Sequence, residues 1–263
     1  MLSSPTGSAE RTGDVILAAE GLTKEFRGFA AVRDVNLKVH AGSIHALIGP
    51  NGAGKTTVFN LLTRFMPATR GRILYRGQDI GRTGPAKVAR QGLVRSFQIS
   101  AVFPHLTVLD NVRVALQRPR HLATQWWRPL STLRSLDDRA MELLTAVQLA
   151  DKADLTAGEL SYGRKRALEL ATTLALDPQV LLLDEPMAGM GHEDIHHVAD
   201  LIRQVAKGRT VLMVEHNLNV VSQLCDTITV LARGEILAEG TYTQVSADPQ
   251  VREAYMGSED DDD

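Results

Sequence analysis

Apolar and polar positions alternate in short runs over residues 15–48, with breaks at Gly21, Gly28 and Gly42, and this two-residue period predicts antiparallel strands. Ser43–Ile48 is a short apolar run that enters a glycine-rich turn, and Lys55–Arg64 beyond it has the composition of a helix. Strand, glycine turn and helix in that order make an α/β opening. From about residue 85 to 175 helix formers dominate. Ala140, Leu143, Leu144 and Val147 share one face of a helix predicted over Asp137–Leu149, and Gly163–Leu176 reads as another. Arg118–Arg134 is irregular, with Pro119, Trp126, Trp127 and Pro129. The remainder predicts a buried strand at Val180–Leu183, a helix at His192–Val205, a strand at Thr210–Val214 and a helix at Asn217–Leu224. Thr227–Ala232 and Glu235–Glu239 flank Arg233-Gly234 as a hairpin. Residues 1–13 read as a polar, flexible leader, and Glu259–Asp263 as a solvated acidic tail.

Composition narrows the classes. The 263 residues are 44% hydrophobic and 23% charged, which is ordinary globular usage. A net charge of -2 provides no basic field for nucleic acid. The single cysteine, Cys225, excludes an internal disulfide framework and fits a reducing compartment. The polar N-terminus is not a secretory signal, and no apolar run approaches the ~20 residues of a membrane helix. Any membrane role is therefore expected to come through a partner.

Two motifs carry chemistry. Gly49-Pro-Asn-Gly-Ala-Gly-Lys55-Thr56 fits G-x-x-x-x-G-K-[ST]. Its glycines let backbone N–H groups turn inward around phosphate oxygens, Lys55 would neutralise the β- and γ-phosphates, and Thr56 would ligate Mg²⁺. The helix starting near Lys55 directs its positive end at the same anion. Val180-Leu-Leu-Leu-Asp184-Glu185-Pro186 is an apolar strand that ends in two carboxylates. Asp184 would hold Mg²⁺, directly or through water, and Glu185 would polarise an attacking water. His192-Glu193-Asp194-Ile195-His196 also fits the H-E-x-x-H zinc pattern, but no third ligand is evident and a polar helix start explains it.

Over residues 15–257 the chain resembles the ATP-binding-cassette family. Leu160-Ser161-Tyr162-Gly163-Arg164 stands where that family's L-S-G-G-Q signature belongs, with Tyr162 and Arg164 as departures. The resemblance implies a P-loop NTPase core with an antiparallel β subdomain and an inserted α-helical signature subdomain. The nucleotide-binding domain would span residues 14–257, its helical part about 85–175, with 258–263 as the acidic tail. It assigns ATP contacts to Asn51, Gly52, Ala53, Gly54, Lys55, Thr56 and Thr57, adenine stacking to Phe26 (Phe29 as substitute), and contact with the opposite subunit's γ-phosphate to Ser161 and Gly163. Gln98 falls at the Q-loop glutamine, touching Mg²⁺ or water, and His216 at the switch histidine; both join Glu185 in the catalytic set. Ala188–Gly191 occupies the D-loop without its usual acid. Ser161 is also expected to cap the helix it precedes.

ATP and Mg²⁺ are the implied cofactors. The implied partners are permease subunits, a second ATPase subunit in a homo- or heterodimer, and indirectly a periplasmic or extracellular solute-binding protein; nucleic acid is not among them. The implied place is the cytoplasmic face of the inner (plasma) membrane. Val94–Val108, the Tyr-Gly signature, Glu215-His216-Asn217 and the ending Glu253–Gly257 resemble branched-chain amino acid importers. Urea and short-amide importers share most of these traits, and a lipopolysaccharide-exporting ATPase is the nearest rival within transport. Repair ATPases insert long coiled coils and translation-type members usually carry two cassettes; neither is seen. A regulatory module without turnover fits poorly with Glu185 and His216. Ile99, Ala101, Val102, Phe103, Leu106 and Val108 form a hydrophobic stretch after Gln98, expected to dock a permease helix.

Overall fold

The structure, a computed structural model, describes residues 14–96, 102–117 and 135–256. A hairpin of β1 (Val15–Phe26) and β2 (Phe29–His40) opens the chain, followed by β3 (Ile44–Ile48) and α1 (Lys55–Leu62). Next come β4 (Arg70–Tyr75), β5 (Gln78–Asp79), α2 (Pro85–Arg90), β6 (Leu93–Arg95) and α3 (Val108–Gln117). Then follow α4 (Asp137–Ala146), α5 (Tyr162–Leu174), β7 (Val180–Asp184), α6 (His192–Val205), β8 (Thr210–Val214) and α7 (Leu218–Leu224). The last are a hairpin of β9 (Thr227–Ala232) and β10 (Glu235–Gly240), then α8 (Tyr242–Ala247) and α9 (Pro249–Met256).

Two sheets organise these elements. One is antiparallel in the order β2-β1-β4-β5. The other runs β10-β9-β3-β8-β7-β6, parallel from β9 to β6, with β10 antiparallel at its edge. Every residue of β3, β7 and β8 is buried, as continuous apolar strands require when both faces are covered. The two-residue strand period divides their side chains. Leu181, Leu183, Val211 and Met213 enter a core shared with the helices, around Leu144, Leu168 and Leu201. Val180, Leu182, Leu212 and Val214 enter a second core against the antiparallel sheet, around Phe59, Leu17 and Leu37. The central sheet is therefore held rigidly on both sides.

Several boundaries differ from the sequence pattern. Gly21 does not end a strand. It adopts φ 58° inside β1, at a register irregularity, and its N–H donates to Asn36 Oδ1 at 2.8 Å. The helices predicted to reach Arg64 and Leu149 stop at Leu62 and Ala146, because Arg64 and Gln148 take left-handed conformations without being glycine. The helix at 163–176 instead spans Tyr162–Leu174, with Asp177 left-handed beyond it. Leu93–Arg95, in the helix-rich stretch, is an edge strand of the parallel sheet. Among the described residues no helix is long and apolar enough to cross a membrane.

Candidate functional site

Register places the chemistry. Leu47 of β3 and Asp184 of β7 both align with Val214 of β8, so three strand ends lie in one row. Gly49 follows two residues after Leu47, Glu185 one after Asp184, and His216 two after Val214. Crossover connections thus bring distant motifs to one edge of a parallel sheet, where ligand sites of open α/β folds lie.

At the end of β3, residues 49–54 form a tight loop. Gly49 has φ 150°, and a Cβ there would stand 2.0 Å from the Leu231 carbonyl oxygen. Gly54 is the left-handed N-cap of α1, and a Cβ there would lie 2.6 Å from the Ala31 oxygen. Glycine is required at both by backbone conformation and by lack of space. The loop is tied from outside by Gly234 N–H, which donates to Ala53 O at 3.0 Å, while Gly234 O accepts from Arg33 N–H at 2.8 Å. Asn51, Gly52 and Thr56 are exposed, and Thr57 is half-buried. Lys55 is buried and donates to Gly49 O at 2.6 Å and Pro50 O at 2.8 Å, so its ammonium is held inside the loop. Burial holds this ammonium below its ordinary range, and the Glu185 carboxylate acts in the opposite sense.

Facing it, Asp184 is buried and forms an ion pair through Oδ2 with the guanidinium of Arg95, itself almost wholly buried. Arg95 also donates to Asn60 Oδ1 at 2.6 Å and lies 5.7 Å from the Phe59 ring centre. Glu185 has φ 47°, a left-handed conformation costing roughly 1–2 kcal/mol. Its N–H donates to Val214 O at 3.0 Å. The Glu185 Oε1 and His216 Nδ1 atoms are 3.8 Å apart. Glu215 is buried and accepts from three backbone N–H groups: Met187 at 2.9 Å, His216 at 3.0 Å and Asn217 at 3.2 Å. One carboxylate therefore fixes both the turn after Glu185 and the start of the His216 segment. Neither Arg95 nor Glu215 was singled out by its motif. The available signal was a charge inside or directly after an apolar strand, which needs a buried partner.

Ser161 occupies the N-cap position of α5 with extended backbone, yet its side chain makes no capping bond. Ser161 is thus the N-cap by backbone, as expected, but without the side-chain bond. Tyr162 donates to Ala188 O at 3.1 Å and accepts from Arg166 at 3.2 Å, which joins the signature to the 188–189 turn. Gly163 faces Asp194, whose carboxylate oxygen is 2.5 Å from where a Cβ would sit. No hydrogen bond or ion pair links 161–163 to 49–57 among the described residues. Phe26 and Phe29 are cross-strand partners at the hairpin tip and are both exposed. Lys24 Nζ lies 5.1 Å from the Phe26 ring. The H-E-x-x-H segment is the first turn of α6. Gln98, Ile99, Ala101, the Trp126-Trp127 pair, the leader and the acidic tail lie outside the described residues.

The hydrophobic stretch divides. Phe103 is 51% exposed and Leu106 is 36% exposed, but Val108 is fully buried, because it begins α3 on its core face. Phe103, with Arg95, Val114, Ala115, Glu169 and Leu176, lines a groove of about 270 Å³. Asn111, buried on α3, binds both Phe103 backbone groups, accepting at 2.7 Å and donating at 3.1 Å, and also donates to Thr107 O at 2.8 Å. The groove edge is thus fixed by a side chain.

The donor set suits a hard cation. A Thr56 hydroxyl on an exposed helix start and an Asp184 carboxylate supply oxygen ligands of the type Mg²⁺ takes beside phosphates.

Comparison with known proteins agrees with this fold. The family described as ABC transporter matches residues 32–188, and that described as branched-chain amino acid ATP-binding cassette transporter matches residues 235–261. The chain is 40% identical over 251 residues to BraF of Pseudomonas aeruginosa, a high-affinity branched-chain amino acid transport ATP-binding protein, covering 92% of this chain and 98% of the relative. It is 38% identical over 251 residues, with the same coverage, to LivG of Escherichia coli, which is described in the same terms. Among solved structures it resembles the ADP conformation of MJ1267, an ATP-binding cassette of an ABC transporter, with a TM-score of 0.83 and 30% identity, covering 93% of this chain and 99% of that one.

Proposed function

The chain belongs to the ABC transporter family, and from that premise we propose that it is the Mg·ATP-hydrolysing subunit of an importer for branched-chain amino acids. The observation that supports the nucleotide part of this reading is the row of strand ends at Leu47, Asp184 and Val214, directly after which come the 49–56 loop, Glu185 and His216. In this reading the loop N–H groups and Lys55 hold the β- and γ-phosphates, and Phe26 supports the adenine. Thr56 and Asp184 would hold Mg²⁺, and Gln98, outside the described residues, would join them directly or through water. Bound Mg²⁺ neutralises developing phosphate charge. Glu185 accepts a proton from the attacking water, and His216 donates to the γ-phosphate. The left-handed backbone at Glu185 and the three bonds to Glu215 fix where these two side chains start.

A second subunit completes the site. Ser161 and Gly163 stand at the start of α5 and, among the described residues, make no hydrogen bond to the 49–57 loop of their own chain, which supports their service to a partner's nucleotide. Permease subunits in the membrane would seat a short apolar segment in the groove beside Phe103, holding this chain at the cytoplasmic face. A solute-binding protein would deliver the amino acid from the other side.

Lys55→Ala tests the nucleotide reading. It removes the buried ammonium, at a cost of about 3 kcal/mol or roughly a hundredfold in ATP affinity. Calorimetry on the purified chain should show that loss. Unchanged ATP affinity in the Lys55→Ala protein would overturn the assignment.

A further inference from the structure

Arg95 stands between two sites that the activity must connect. It ends β6, paired with Leu182 of β7, and the next residue donates its N–H to Leu182 O at 2.9 Å. Its guanidinium reaches Asp184 at the metal end of β7, and Asn60 and Phe59 on the helix that follows the phosphate loop. The same residue lines the groove with Phe103 and Val114. Both partners of the ion pair are buried, with side chains 8% and 5% exposed, so each charge depends on the other.

We propose that Arg95 is a positioning residue that competes with the metal of Mg·ATP for Asp184 and thereby links nucleotide occupancy to the shape of the groove. The inference rests on the reading of Asp184 as a metal ligand. A carboxylate shared between a guanidinium and a divalent cation holds each less tightly than it would alone, since the cations repel. Metal arrival therefore weakens the pair and releases the guanidinium towards Asn60 and the groove wall. The coupling is reciprocal: whatever fixes Arg95 away from Asp184 tightens metal binding by the same factor.

The sign of this effect separates it from a structural role. If Arg95 merely holds Asp184 in place, weakening the pair lowers metal affinity. If it competes, weakening the pair raises it. Two variants weaken it differently. Arg95→Gln removes the competing cation. Asn60→Asp keeps it and puts a second carboxylate at the contact that Arg95 Nη1 now makes with Asn60 Oδ1 at 2.6 Å, which serves should Arg95→Gln not fold.

The test uses the full chain with ATP and Mn²⁺ as the metal probe, read by electron paramagnetic resonance. A fluorophore on Val114→Cys, in a Cys225→Ser background, reports the groove. Both variants should bind Mn²⁺ with ATP about tenfold more tightly than the parent, the scale expected for one unit of charge nearby, a cation removed in Arg95→Gln and a second carboxylate drawing that cation off Asp184 in Asn60→Asp. The groove probe should respond to Mg·ATP in the parent and lose that response in Arg95→Gln or, if that protein does not fold, in Asn60→Asp. Weaker or unchanged Mn²⁺ affinity in the variants, a parent probe that ignores Mg·ATP, or a variant probe that responds like the parent would each overturn the proposal. Failure of the parent to bind ATP at all would instead overturn the nucleotide reading.

Discussion

Phe103→Ser separates a docking surface from a core. A fully buried phenylalanine costs about 3–5 kcal/mol when truncated. Phe103 is 51% exposed, so its replacement should cost only about 1 kcal/mol. For a chain of this size that is a fall of roughly 2–4 °C in melting temperature. Asn111→Ala, one turn into α3, is the internal standard. It strands the Phe103 N–H and takes one of two donors from each of the Phe103 and Thr107 carbonyls, at a cost of about 2–4 kcal/mol. Differential scanning calorimetry of the isolated subunit should therefore rank Asn111→Ala well below Phe103→Ser. In the assembled transporter the effects should diverge. Phe103→Ser should reduce co-purification with the permease and solute uptake while ATP binding stays intact. A melting-temperature loss as large as that of Asn111→Ala would show that Phe103 is core. Unchanged uptake and co-purification would place the coupling surface elsewhere.

Glu185→Gln should bind ATP and fail to turn it over, and on a sizing column it should run as a dimer with Mg·ATP and a monomer without; a monomer in both conditions at micromolar protein counts against the two-subunit site. His45, wholly buried on β3, bonds Thr229 Oγ1 at 2.7 Å, and that hydroxyl donates to Glu239 at 2.6 Å. Burial first, then the His40 charge, pulls its pKa from 6.5 down to about 4. The unfolded chain therefore binds the proton more readily, so the stability from a neutral His45 is full above pH 6.5 and is lost as pH falls towards 4. Urea unfolding at pH 7.5 and pH 5 should show on the order of 2 kcal/mol less pH dependence in His45→Gln than in the parent; equal dependence refutes the assignment.

The parts of the fold that the sequence predicts best are those where one physical demand dominates. β3, β7 and β8 are mostly apolar because both faces are buried, and the loop at 49–54 needs glycine at 49 and 54 because Leu231 and Ala31 crowd those positions. The shape of α1 and α4 was visible but their ends were not, since Arg64 and Gln148 turn left-handed without a glycine to announce it. β6 escaped because three residues give no period and one is a charge. α3 presents Asn111 to the core, which breaks its apolar stripe. At the site, Lys55, Asp184 and Glu185 stand in motifs. Arg95 acts through Asp184 and Asn60, and Glu215 through Met187 as well as its own neighbours His216 and Asn217; only the crossover topology brings the remote partners near.

The order of synthesis adds a consequence. The phosphate loop is held by Ala31–Arg33 on one side and by Leu231 and Gly234 on the other. Its outer brace therefore emerges from the ribosome on the order of ten seconds or more after the loop itself. During that interval the nascent chain carries the 49–56 motif without the hairpin that braces it, so ATP is expected to add little stability to the growing N-terminal half. A chain truncated before β9 should retain every motif residue named here and yet present no formed cradle. ATP binding is therefore expected only of chains whose synthesis has passed β10.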